Sequence, residues 1–216
     1  MNHKHLLATL ACLANLGLAA PAALAVEVTP LSYQVDQDTD CGTYCYHDTS
    51  GRELIDGAYG TAGWGADLGH GNAQEWVGWV DKPVVNIDFS FLGAPTIGEV
   101  RVGTTQDSTG DVVLPSVSVS AWNGSGWTLV ASLVVPESSA NDVPDYFSTA
   151  PHGFLSLSNL HIQSNKVRVT LTQSLDGPWS FADEIDFVRA PVPEPGTWAL
   201  MAMGLAVVAA GARRRA

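Results

Sequence analysis

The chain has 216 residues, 46% hydrophobic and 15% charged, with 21 glycines, 12 prolines and a net charge of −12. It is too apolar for a disordered chain and too sparsely charged for a coiled coil, and it lacks the glycine repeat of collagen. The acidic balance argues against nucleic acid as a partner, because phosphate contacts need a basic face.

Met1 to Ala25 reads as a secretory signal peptide. Lys4 supplies the positive start, Leu6 to Ala20 is an apolar stretch, and Ala23-Leu24-Ala25 has the small-x-small form of a cleavage site. Val26 to Ala190 then forms one domain of 165 residues, with six Lys or Arg against 21 Asp or Glu, a net charge of −15. That field disfavours anionic polymers unless cations bridge them, and it favours divalent cations.

Asp36-x-Asp38-x-Asp40 opens like an EF-hand loop, but Cys41 stands where glycine is needed and His47 where the closing glutamate belongs. A solvated acidic loop is expected there. Cys41 and Cys45 are an even pair in an oxidising compartment, and a disulfide closing so short a loop is worth about 2 kcal/mol. No second Cys or His pair stands nearby to complete a zinc site.

Gly60 to Gly71 is a glycine-rich loop holding Trp64, Asp67 and His70, with Asn72 just beyond it. Its glycine spacing is not that of a dinucleotide loop. Two readings stand. Trp64 could be a stacking platform for a sugar, with Asp67, His70 and Asn72 as hydrogen-bond partners, or it could cap the fold.

From there the hydrophobic period is two. Val85, Ile87, Phe89 and Phe91 alternate with Asn86, Asp88 and Ser90; Val117, Val119 and Ala121 with serines; Leu155 and Leu157 with serines; Val167, Val169 and Leu171 with Arg168 and threonines. Each predicts a strand with one buried and one wet face. Shorter candidates are Trp76 to Val80, Glu99 to Val102, Trp127 to Val134 and Glu184 to Val188, and Asn123-Gly124 reads as a hairpin turn. About eight strands and no helical stripe predict an all-β domain, a β-sandwich of jelly-roll type. Trp127 and Trp179, at strand starts, are expected in the core, and Trp64 outside it.

The end of the chain has three parts: Pro193-Glu194-Pro195, an uncharged run from Thr197 to Ala212, and Arg213 to Arg215. At ~1.5 Å per residue the run spans about 24 Å, close to one bilayer crossing, with the arginines held in the cytoplasm. "VPEPGTWALMAMGLAVVAAGARRRA" (Val192 to Ala216) resembles the PEP-CTERM sorting signal. The resemblance implies a Gram-negative bacterium and an exosortase that removes the tail. It also implies transient anchoring in the inner membrane, then release to the cell surface or an exopolysaccharide-rich biofilm matrix.

A second resemblance rests on motifs in order. These are "GRELIDGAYG" from Gly51, "WVGWVDKPVVNIDFSFLGAPTIGEVRV" from Trp76, "LPSVSVSAWNGSGWTLV" from Leu114, "KVRVTLT" from Lys166 and "WSFADEIDFV" from Trp179. Together they look like a galactose-binding-like β-sandwich, the group of discoidin domains and many carbohydrate-binding modules. The resemblance implies a structural calcium joining the early Asp-Gly turn to the last strand, with Asp56 and Glu184 as ligands and Asp48, or backbone carbonyls of the Asp48 to Gly51 loop, completing the site. Its sugar sites lie on variable loops, so ligand identity does not carry over.

Catalysis finds little support. The histidines are scattered, no nucleophile elbow is present, and so many acids produce pairs by chance. The function expected is non-catalytic binding of carbohydrate or exopolysaccharide. The alternatives are a structural matrix or adhesion protein with protein partners, and a glycoside hydrolase.

Overall fold

The computed structural model describes residues 26–39, 46–60, 64, 75–107, 110–137, 152–191, 201, 203–205 and 211. The chain divides into two units, Ala25–Ala190 and the two ends taken together. Of the ends, residues 201, 203–205 and 211 are helical. Among the described residues no helix is long and apolar enough to cross a membrane. The signal peptide, Cys41, Cys45 and Pro193 to Pro195 lie outside the described residues.

The central unit is all-β. Its first sheet has five strands, in the order β1 (Ser32–Val35), β3 (Val84–Ser90), β9 (Lys166–Thr172), β5 (Ser116–Trp122) and β6 (Trp127–Leu133), all antiparallel. Opposite it lie β11 (Ile185–Arg189), β4 (Thr96–Thr104) and β7 (Gly153–Leu157), with β8 (Ile162–Gln163) beside β4. A ribbon of β2 (Val77–Val80) and β10 (Trp179–Ala182) completes the sandwich.

Alternation makes the core. Val85, Ile87 and Phe89 of β3 are fully buried, as are Val167 and Val169 of β9 and Val119 of β5. Across the layers Phe187 meets Phe89 and Phe91 edge-on, with ring centroids 4.8 and 4.9 Å apart. A second, aromatic cluster of Tyr46, Trp76 and Phe181 lies at the ribbon, with Trp64 and Trp179 packed against it.

The eight expected strands are present, and three more were not read from the sequence: β1, β8 and β10. β1 and β10 are four residues long and β8 two, too short for alternation to stand out. The core tryptophans are Trp76 and Trp79, at 2% and 0% exposure, rather than Trp127 and Trp179. Trp127 is half-buried on the outer face of β6, an edge strand. Its position at a strand start does not say which face it takes; pairing with Trp122 of β5 does.

Candidate functional site

The turn that the Asp-Gly motif predicts is present. A short 3-10 helix, Glu53–Ile55, buries Leu54 and Ile55 and so anchors the chain on the core. Gly57 then turns back at φ +81°, a conformation glycine adopts readily. The Asp56 carboxylate accepts the Ala58 N–H at 2.8 Å, and the Gly57 N–H donates to Glu184 Oε2 at 2.9 Å. The early turn is thereby tied to the residue preceding β11.

Around this tie lies a cavity of about 440 Å³ walled by Glu27, Arg52, Asp56, Tyr59, Glu184 and Asp186. Glu184 is 4% exposed. Burial pushes its carboxyl pKa up to about 8, and the charges of Asp186, Asp56 and Asp183 add to the rise against the opposing Gly57 N–H. Burial likewise raises Asp186, helped by Glu27, although the Tyr59 hydroxyl donates to it at 3.2 Å. Such crowded carboxylates suit a hard cation with oxygen ligands. Among the described residues no three acid, His or Cys side chains converge tightly enough to hold a metal by themselves. A cation here would rest on Glu184 and Asp56 with main-chain carbonyls, a mixed donor set of the kind calcium takes.

Asp48 has a different setting. It accepts hydrogen bonds from the Tyr33 hydroxyl, from the Ser50 N–H at 2.9 Å and from the Gly51 N–H at 2.7 Å. Burial works against its ionisation, but these donors outweigh it and hold its pKa below the usual carboxylate value. Asp48 shapes the turn before the 3-10 helix and lines a second cavity of about 560 Å³ with Tyr33, Gln37, Asp38, His47 and Trp79. The structure therefore brings Asp56 and Glu184 to one cavity and Asp48 to another. The Trp79 indole nitrogen, fully buried, has no hydrogen-bond partner among the described residues.

Trp64 stacks on Phe181, with ring centroids 5.9 Å apart and planes at 22°, so one face of the indole is used in packing. Asp67, His70 and Asn72 lie outside the described residues.

Sequence reasoning missed Tyr33, Asp186, and the pair His152 and Asp183. His152 Nε2 stands 2.9 Å from Asp183 Oδ2, and that same oxygen accepts the Gly60 N–H at 2.6 Å. The signal available was the run Ala182-Asp183-Glu184-Ile185-Asp186-Phe187, three acids inside an apolar strand pattern.

The model of the PEP-CTERM protein-sorting motif matches residues 191–215. The tail is a PEP-CTERM sorting motif. It marks the chain as exported and sorted through the membrane of a Gram-negative bacterium by an exosortase. No curated protein sequence matches the chain. Among solved structures, a chain of the Streptococcus pneumoniae β-galactosidase BgaA is 9% identical and covers 76% of this chain and 98% of its own, with a TM-score of 0.51. The family 32 carbohydrate-binding module of Clostridium perfringens NanJ, in complex with galactose, is 13% identical (77% and 100% covered, TM-score 0.46). That of AlyQ, in complex with 4,5-unsaturated mannuronic acid, is 15% identical (76% and 99% covered, TM-score 0.48). The likeness to the BgaA chain is one of fold: the central unit of the PEP-CTERM chain is a β-sandwich.

Proposed function

We propose that the chain is an exported, non-catalytic carbohydrate-binding protein, delivered to the cell surface or matrix once an exosortase has removed its tail. The observation that carries the reading is the cavity beside β1. There the half-buried Tyr33 stands with the hydrogen-bonding side chains of Gln37, Asp38, His47 and Asp48. An aromatic ring with a few convergent polar groups suits a sugar, whose apolar face stacks and whose hydroxyls are sorted by donors and acceptors. Trp64, Asp67, His70 and Asn72 are the second set of ligand-binding residues in this reading. Calcium is the structural ion of the reading, held by Glu184 and Asp56 and tying the early turn to β11.

Glycan-array binding of the full-length chain tests this. Asp38 is exposed, so Asp38→Ala should reduce binding to the glycan recognised while leaving the melting temperature unchanged. An array on which the wild-type chain retains no glycan overturns the reading. For the tail, the mature surface protein should lack Thr197 to Ala216 by mass spectrometry, and Pro193→Ala with Pro195→Ala should leave the chain in the inner membrane. An intact C-terminus in the surface fraction would refute processing.

A further inference from the structure

The five-stranded sheet presents an outer face whose side chains are organised in registered rows. Asp88, Arg168, Ser120 and Leu129 lie opposite one another across β3, β9, β5 and β6. Asp88 accepts from both Arg168 Nε and Nη2, at 2.6 and 2.8 Å, and this fixes the guanidinium. The guanidinium in turn sits 4.5 Å over the Trp127 ring. Trp127 meets Trp122 of the neighbouring strand edge-on at 5.3 Å. One row over, the Thr170 hydroxyl donates to Asn86 Oδ1 and Asn86 Nδ2 donates to Asp36, both at 2.7 Å. All of these side chains are half-buried or exposed, and Leu129 at the end of the row is 64% exposed.

Two indoles beside a locked planar guanidinium, a carboxylate and an amide form a rigid mixed surface. Its rings suit the apolar face of a pyranose, and its planar polar groups suit vicinal hydroxyls. Little ordering is left to be done on binding, because the side chains already hold one another in place. The charges on the row are matched within it, Asp88 against Arg168, while the domain as a whole carries −15 and repels a polyanion. The complementary ligand is thus uncharged. These four strands at ~4.8 Å spacing span about 14 Å, room for more than one sugar ring.

We propose that the outer face of β3, β9, β5 and β6 is a docking surface for a neutral polysaccharide chain. Trp122 and Trp127 are its stacking platform, and Arg168, Asp88 and Asn86 are its hydroxyl partners. This rests on the carbohydrate-binding reading but places the extended polymer away from the cavity at β1.

Affinity electrophoresis of the full-length chain through gels containing β-glucan, xylan, galactan, alginate or polygalacturonate tests it. Retardation by at least one neutral polymer is expected, with Trp127→Ala weakening it about tenfold or more. Ser132→Arg, which places bulk on the same face from an exposed position, should do likewise, and it decides the matter if Trp127→Ala melts early. Leu175→Ala, at an exposed position on neither surface, should leave retardation unchanged. Wild-type retardation that neither face variant alters overturns the docking surface and leaves carbohydrate binding standing. Retardation by the acidic polymers alone overturns the neutral ligand class. A wild-type chain retarded by none of the five overturns both the docking surface and the reading on which it rests.

Discussion

Glu184 and Asp88 are both carboxylates beside antiparallel strands, and they end in opposite states. Asp88 stands on the outer face, about a third exposed, and is held bidentately by Arg168. Glu184 is buried at the base of β11, with Asp56, Asp183 and Asp186 for neighbours and the Gly57 N–H donating to it. The first carboxylate is balanced within the fold. The second raises its pKa because burial and like charges both oppose ionisation. Where a protein leaves such a group without a cation of its own, an external cation gains most by binding.

The largest effect is expected at Gly103 of β4. A Cβ there would stand 1.9 Å from Asp183 Oδ1 and 2.8 Å from His152 Nε2. Asp183 is fully buried and cannot swing aside into solvent. Gly103→Ala should therefore destabilise the fold by about 3 kcal/mol, the upper end of overpacking, read as a lowered urea midpoint. An unchanged midpoint would show that the acid region yields more easily than its packing implies.

The pH dependence comes next. Glu184 titrates near 8 in the folded chain against an ordinary value of 4.5. Because the folded pKa is the higher, the folded state binds the proton more tightly. The stability this contributes is complete below about pH 4.5 and is lost as pH rises through about 8. In chelator, the melting temperature should fall across that window. Calcium should shrink or reverse the fall, contributing about 2.7 kcal/mol at a hundredfold excess over Kd. Glu184→Gln should abolish both the upper part of the slope and the calcium response. Melting curves of the wild-type chain that ignore both pH and chelator would erase the contrast with Asp88.

The smallest effect belongs to the outer face. The Asp88 and Arg168 side chains are 35% and 27% exposed, so solvent screens the pair. Asp88→Asn should cost less than about 1 kcal/mol, and the loss should shrink further in high salt. A loss as large as that of Gly103→Ala would make the outer pair a structural element equal to the buried one.

Much of the architecture was legible because its causes are local. Alternation in "VVNIDFSF" and "KVRVTLT" assigns a buried and a wet face to β3 and β9 without reference to any partner. The tail was legible for the same reason, being a contiguous motif of prolines, apolar run and arginines. The family resemblance implied a calcium joining the Asp-Gly turn to the last strand; what the chain shows there is a hydrogen bond between Gly57 and Glu184, residues 127 apart.

What alternation could not decide was which acid meets which partner. Asp48, Asp56 and Glu184 look alike as letters. Only folding sets Asp48 beside the Tyr33 hydroxyl and leaves Glu184 among other carboxylates. The same holds for the tryptophans. Trp79 lies in the core because the ribbon that carries it turns it inward onto the core cluster, and Trp127 lies outside because its cross-strand pairing turns it outward. A strand's period is set by its own backbone. The charge state of a carboxylate and the side on which an indole rests are set by neighbours that arrive from distant parts of the chain.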